Sequence, residues 1–294
     1  MSQTWNVGAA TITAIVEDET PGVPVQLFFA EATPDDIRTT TWLGPDIAAA
    51  NGTIAFRVQA FLIRLADLTV LVDPCVGNGK TRDLPTWNQL DRPWLERLAA
   101  ASCTPADIDM VIHTHLHEDH VGWDTHVATE SDGAQRWLPT FTNARHIYVD
   151  TELDYRREDT NPRYNVYEDS IEPVFAAGLA EVVTAGADLG HGLQLISTPG
   201  HTPGHVSLQI ATGSEPFVIT GDLLHHQAQL SHPHWAEIAD HDADMARTTR
   251  SDFFSHHAQH GTLLGGTHFA SQPVGRIEAH GAAWKFNPVL PADH

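Results

Sequence analysis

Four short apolar runs along the chain each end a few residues before a histidine or an aspartate. Ile108-Asp109-Met110-Val111-Ile112 reads as a buried strand running into His115, and Leu193-Gln194-Leu195-Ile196 does the same before His201. Phe217-Val218-Ile219 precedes Asp222, and Thr262-Leu263-Leu264 precedes His268. Each of these polar residues is therefore expected just past the C-terminal end of a strand, where open α/β sheets build sites on loops held by a rigid scaffold. Val7 to Val16 alternates toward a further strand, and Thr33-Pro34-Asp35-Asp36 reads as a helix start with an acidic first turn. Tyr167 to Leu179 and Asp240 to His257 read as helices, the first interrupted at Pro173. Pro85, Pro93, Pro139 and Pro162 punctuate loops, and Val127 to Thr142 is expected as a long polar loop overhanging the polar cluster.

The densest chemistry lies in Thr114-His115-Leu116-His117-Glu118-Asp119-His120, an H-x-H-x-D-H motif. Neutral imidazole is the commonest protein ligand for zinc, and a carboxylate supplies the negative charge needed to hold a second cation nearby. The seven candidates divide into three, three and one shared. His115, His117 and His201 would hold a first metal, Asp119, His120 and His268 a second, and Asp222 would bridge the two. Three protein ligands with an open position mark a catalytic zinc, whereas a structural zinc is closed by four ligands, usually with thiolates. Cys75 and Cys103 are the only cysteines, so no thiolate cage and no disulfide framework is available.

Thr114 to Gly122 (THLHEDHVG), Thr198 to His205 (TPGHTPGH), Thr220 to Asp222 (TGD) and Gly266 to His268 (GTH) together resemble the metallo-β-lactamase superfamily. Phe61 to Gly77 also resembles the early hairpin of that fold, with Asp73 as its carboxylate behind the ligands; the matches span residues 55 to 270 in the family's order. The resemblance implies an α/β protein of the αββα four-layer type, two mixed β-sheets flanked by helices. Residues 1–294 are expected as a single domain in which 1–50 form an N-terminal extension. In lactonase-like relatives such an extension shapes the entrance or a homodimer contact, which is what the resemblance implies here.

Composition narrows the function. Sixteen basic against 38 acidic residues give a net charge of -22, which disfavours nucleic acid as a partner, because that binding depends on Lys and Arg neutralising phosphates. The nuclease branches of the superfamily are correspondingly disfavoured, and a small substrate, neutral or modestly charged, is expected. No charged region followed by an apolar run opens the chain, and no stretch approaches transmembrane length, so the expectation is a cytoplasmic protein without a membrane partner.

Most of the twenty histidines cannot be ligands. His113 is expected buried behind the motif, and His205 as a turn residue bonding backbone. His126, His191, His232, His234, His241, His256, His257, His260 and His280 are expected on the surface. In the acyl-homoserine-lactone lactonases that the chain resembles, a tyrosine three residues past the bridging aspartate stands over the metals. Here that position is His225, which could donate to a developing oxyanion or protonate a leaving alkoxide, or simply cap the element that follows.

Two divalent ions roughly 3.5 to 4 Å apart can share a water, lower its pKa and polarise a carbonyl. Zinc is the expected metal, with iron or manganese as alternatives, and Asp119 would orient the attacking hydroxide while it ligates. Trp123, Phe269 and Trp235 are candidates for apolar walls. Lactone or ester hydrolysis is the expectation, in the manner of lactonases and methyl-parathion-type hydrolases. The alternatives are a glyoxalase II-like thioesterase and a persulfide dioxygenase with one iron at the His115, His201 and Asp222 positions.

Overall fold

A computed structural model of the chain describes residues 3–129, 133–158, 166–213 and 215–292; Pro162 lies outside the described residues. The chain falls into two compact units. One comprises Met1–Thr4, Ala10–Glu17 and Val58–Thr184, the other Trp5–Ala9, Asp18–Arg57 and Ala185–His294. The first fifty residues contribute to both units.

The first sheet has seven strands in the order β1-β2-β3-β4-β5-β8-β9. They are β1 (Gln3–Val7), β2 (Ala10–Pro24), β3 (Thr53–Arg64), β4 (Thr69–Val72), β5 (Met110–Ile112), β8 (Arg145–Val149) and β9 (Ala180–Val183). The alternation seen over Val7–Val16 is interrupted by a turn at Gly8-Ala9, which separates β1 from β2. β3 and β4 pair antiparallel, and β4, β5, β8 and β9 pair parallel in sequence, which makes the sheet mixed. Val-Leu-Val of β4 and Met-Val-Ile of β5 are buried throughout, the continuous apolar pattern of strands covered on both faces. Because Val72 pairs in parallel with Ile112, both strands end at the same edge. Asp73 and Thr114 therefore leave side by side, and the Asp73 carboxylate accepts from Thr114 N and Oγ1, each at 2.8 Å.

The segment expected as one long loop contains a strand. β6 (Thr125–Thr129) and β7 (Gln135–Pro139) form an antiparallel hairpin, with Val127 opposite Trp137. A β-branched residue facing an aromatic one stabilises such a pair even where most neighbours are polar. In the expected helix from Tyr167, a π-helical turn at Tyr167–Ile171 leads into a short helix at Glu172–Ala176, and Pro173 sits in its first turn, where a missing N–H costs nothing.

The second unit holds a sheet whose strands follow chain order: β10 (Asp188–Gly190), β11 (Leu193–Ser197), β12 (Val206–Ile210), β13 (Phe217–Ile219), β14 (Leu263–Gly265), β15 (Val274–His280) and β16 (Ala283–Pro288). All pairs are antiparallel except β13 with β14. Since β11 and β13 are each antiparallel to β12, strands β11, β13 and β14 run in one direction and open at one edge. Ile219 pairs with Gly265, so Asp222 and His268, three residues beyond each, leave the sheet at matching heights.

The 18-residue helix Ala243–His260 is capped by Asp242, whose carboxylate accepts from Met245 N, and stops at Gly261 in the left-handed region. It buries Phe253 and Phe254 against Val218, Leu264, Ile277 and Phe286. His257, expected on the surface, is buried on this inner face with Nδ1 3.0 Å from Thr262 Oγ1. The unit also joins distant parts of the chain, since Trp5 Nε1 donates to Val289 O at 2.9 Å. No helix among the described residues is long and apolar enough to cross a membrane.

Candidate metal-binding residues

In the first unit, the loop after β5 brings His115, His117, Asp119 and His120 together, all buried. The His115 ring lies edge-on to His117 at 4.5 Å and 4.1 Å from His120. Leu116 N donates to the buried Glu152 carboxylate, and His120 N to His117 O, which fixes the turn. Nδ1 of His115 is 3.2 Å from Thr114 Oγ1, and Nδ1 of His120 is 3.1 Å from Asp73 Oδ2, while His120 Nε2 faces Asp119 at 3.6 Å. Gly122 ends the loop where its N donates to Cys75 O; a Cβ there would fall 1.7 Å from Val76 O, so only glycine fits. Trp123 stacks on Trp94, donates to Glu17 Oε1 at 2.6 Å, and forms part of the wall of a cleft of about 660 Å³ beside Asn78, Gln89 and His126.

In the second unit, three imidazoles converge on Asp222. His268 Nε2 is 2.9 Å from Oδ1, and Nε2 of His225 and His201 are 3.1 Å and 3.3 Å from Oδ2. His201 Nδ1–H donates to Asp240 Oδ1 at 2.9 Å, and His268 Nδ1–H to Arg57 O at 2.7 Å. Gly200, with φ of +135°, precedes His201 at a point where a Cβ would lie 2.4 Å from the backbone of Ala246. His205 serves the backbone, as its sequence context suggested: its Nδ1 is 3.0 Å from Thr198 O, and its Nε2 accepts from Asp222 N at 2.9 Å.

Charge is concentrated around His201. Burial alone would lower its pKa, but Asp222 and Asp240 outweigh burial and push it up to about 10. Burial likewise opposes ionisation of Asp240, yet the bond from His201 keeps its pKa below the ordinary carboxylate value. Glu237, buried beside them, is raised by desolvation and only partly brought back by His225 and His201.

His225 differs from the other histidines of the cluster. Its N donates to Gln229 Oε1 at 2.8 Å, its ring stacks on His268 at 5.5 Å, and its Nδ1 has no hydrogen-bond partner among the described residues. The helix-capping role considered for it falls to His226, whose Nδ1 accepts from Ala228 N.

Nδ1 is within hydrogen-bonding range of a partner in His115, His201 and His268, and in His120 it faces Asp73 Oδ2, which leaves Nε2 as the nitrogen that could take a metal. That is how metal-binding histidines are fixed in tautomer and orientation. A carboxylate ringed by imidazole nitrogens suits a divalent cation, which neutralises Asp222 without placing protons on several buried rings.

Beneath the motif lies a separate buried triad. His113 Nε2 is 2.7 Å and His146 Nδ1 3.2 Å from the Asp124 carboxylate, and His113 Nδ1 and His146 Nε2 face the carbonyls of Ile147 and Phe141. Burial would raise Asp124, but the two imidazoles overcome it and hold its pKa down to about 2. His113 is thus buried behind the motif, as expected.

Phe269, a candidate wall, is a core residue, and Trp235 packs in the core, the reading its sequence context favours. Phe269 is fully buried edge-on to Phe286, and Trp235 stacks on Phe29 at 5.5 Å. The aromatic ring that lies against a candidate ligand is Phe56, stacked on His268 at 4.5 Å, with Phe28 4.6 Å beyond it. Sequence reading missed Phe56, Phe28, Glu237 and Asp240, because no local motif distinguishes them from core or loop residues. Their roles arise from partners tens to hundreds of positions away.

A family model described as the metallo-beta-lactamase superfamily matches residues 53–255. The N-acyl homoserine lactonase AttM of Rhizobium radiobacter is 27% identical over 174 residues, covering 52% of this chain and 54% of the relative. Metallo-beta-lactamase domain-containing protein 1 of Xenopus laevis is 29% identical over 191 residues, covering 63% of this chain and 59% of the relative. The chain spans about half the length of the curated relatives it matches. Among solved structures, the hydrolase AbOPH of the beta lactamase superfamily gives a TM-score of 0.80 at 23% identity over 99% of this chain and 98% of that one. AidC, a dizinc quorum-quenching lactonase in complex with the product N-hexanoyl-L-homoserine, gives 0.78 at 17% identity over the same shares, 99% and 98%. At these identities the structural likeness is one of fold.

Proposed function

Because the chain belongs to the metallo-β-lactamase superfamily, we propose that it is a metal-dependent hydrolase that opens a lactone or cleaves an ester of a small molecule. The observation that carries this reading is the set of buried histidines whose Nε2 atoms face the Asp222 and Asp119 carboxylates while Nδ1 faces a carboxylate or a backbone carbonyl. The names of relatives such as the lactonase AttM, and of the dizinc lactonase AidC, favour lactones and zinc. In this assignment His115, His117 and His201 hold one cation, Asp119, His120 and His268 hold the other, and Asp222 is shared, with iron or manganese as the alternative metals.

When bound, a pair of divalent cations supplies a water of lowered pKa and a Lewis acid for the substrate carbonyl. The residues do the remaining work. Asp119 would help hold the metal and orient the attacking water. Asp73 and Asp240 keep His120 and His201 in the Nδ1–H tautomer. His225, whose Nδ1 has no hydrogen-bond partner among the described residues, is assigned as the proton donor to the leaving alkoxide or to the developing oxyanion.

Metal analysis by mass spectrometry on the purified protein, combined with a screen of lactones, aryl esters, thioesters and phosphotriesters, tests the reading. The expected result is about two zinc-like ions per chain with lactone or ester turnover. His117→Ala is expected to lose metal and turnover while keeping its fold by circular dichroism. One iron per chain with oxygen consumption and no hydrolysis would overturn the assignment in favour of a dioxygenase.

A further inference from the structure

His113, Asp124 and His146 form a cluster of metal-ligand types within the first unit that uses none of the ligands proposed above. Sheet register brings the two histidines together. Val111 of β5 pairs in parallel with His146 of β8, and positions two apart along a strand share a face, so His113 continues on the side from which His146 emerges. Their rings lie 6.2 Å apart and 22° from parallel. Asp124 is pinned between them by its backbone, whose N donates to Val121 O and whose O accepts from Thr140 N. His113 is 2% exposed, and Asp124 and His146 are wholly buried.

Each ring turns its outer nitrogen to a backbone carbonyl. His113 Nδ1 lies 2.9 Å from Ile147 O, and His146 Nε2 lies 3.4 Å from Phe141 O. A carbonyl only accepts, so the protons belong on these nitrogens, and a neutral imidazole has just one N–H. The inner nitrogens, His113 Nε2 and His146 Nδ1, then point lone pairs at a carboxylate that is itself an acceptor, 2.7 Å from Oδ2 and 3.2 Å from Oδ1. Neither contact is aligned as a hydrogen bond: His113 Nε2, His146 Nδ1 and Asp124 Oδ1 have no hydrogen-bond partner among the described residues. Polar atoms left facing one another in a dry interior are costly. A lone imidazolium at His113 would still leave one nitrogen of His146 bare against an acceptor.

A divalent cation among the inner atoms satisfies all of them at once. Both rings stay neutral and donate their outer N–H to carbonyls, which is how metal-binding histidines are oriented. Asp124 offers both oxygens, one toward each ring, so two nitrogens and two oxygens make the four donors of a closed site. Tyr148 supports the pair, stacking on His113 at 4.6 Å and donating to Asp124 Oδ2 at 3.4 Å. Seating the ion requires the 2.7 Å contact between His113 and Asp124 to open toward the roughly 3.3 Å that separates ligand atoms around a tetrahedral zinc.

We propose that His113, Asp124 and His146 form a separate structural metal site, which takes up a zinc-class divalent cation during folding and ties β5, β8 and the start of the β6–β7 hairpin together. The test uses protein expressed in zinc-supplemented medium, since a site this deep fills as the chain folds. Wild-type crystals measured on either side of the zinc absorption edge are expected to show an anomalous peak among His113 Nε2, His146 Nδ1 and the Asp124 carboxylate. Dialysis of the folded protein against EDTA is expected to leave about one zinc per chain by mass spectrometry. His146→Gln and Asp124→Asn, close in size to the native side chains, are each expected to lose that retained ion, with circular dichroism reporting the fold; if both fail to fold, the wild-type map decides. No peak at the triad, or an ion retained by both variants, overturns the site. A peak there with the ligands proposed above empty supports it and removes the two-cation reading, whereas peaks at those ligands alone do the reverse.

Discussion

His201 sits between two carboxylates, with Asp222 at 3.3 Å from Nε2 and Asp240 at 2.9 Å from Nδ1. Asp240→Asn keeps the shape and removes the charge that fixes the tautomer. It is expected to weaken metal affinity by about 10- to 100-fold, read by competition with a chromophoric chelator, while the unfolding midpoint of the apoprotein changes little. Unchanged affinity would remove Asp240 from that role. His226 carries a different prediction. Burial pushes its pKa down to about 4, only partly opposed by its bond to Ile47 O. Its Nδ1 already accepts from Ala228 N, so a proton there would break the cap. A histidine with a depressed folded-state pKa contributes stability that is present above the unfolded value of 6.5 and lost as pH falls toward 4, because the unfolded chain binds the proton first. Between pH 6.5 and 5 this amounts to about 2 kcal/mol. Urea unfolding of His226→Gln at pH 7 and pH 5 is expected to show a smaller loss than wild type; an equal loss would place the acid sensitivity elsewhere.

At the scale of elements, the shared direction of β11, β13 and β14 puts His201, Asp222 and His268 at one edge, and Gly200 permits the close turn before His201. Gly200→Ala combines a φ of +135° with a Cβ 2.4 Å from Ala246, and is expected to cost at least about 2 kcal/mol, measured by denaturant unfolding. This layer is legible in the sequence, because a short run of Val, Ile and Leu stops where a histidine or aspartate begins, and strand ends are where loops carry chemistry. Other elements are hidden for physical reasons. The β6–β7 hairpin is stabilised by a cross-strand pair, Val127 with Trp137, that no single strand reveals. Asp240 reaches His201 across 39 positions, and Phe56 reaches His268 across more than two hundred, so no local pattern marks them. Asp73 is found because the family resemblance supplies its place, and its bonds to Thr114 show how it supports the loop.

The whole molecule carries a charge of -22, which lowers the local concentration of anionic substrates at any site it presents. Because free ions screen such a field over about 10 Å at 0.1 M, kcat/KM for an anionic aryl ester is expected to rise with added sodium chloride while that for a neutral ester stays level. Parallel behaviour of both esters would confine the discrimination to local contacts. The bond from Trp5 to Val289 O joins residues 284 positions apart within the second unit. During synthesis at roughly 5–20 residues per second, the first strand leaves the ribosome on the order of 15 to 60 s before the segment that holds its indole. The Trp5–Val289 bond therefore cannot form until Val289 has been synthesised, and protease resistance of Trp5 in arrested nascent chains is expected only once Val289 has cleared the exit tunnel.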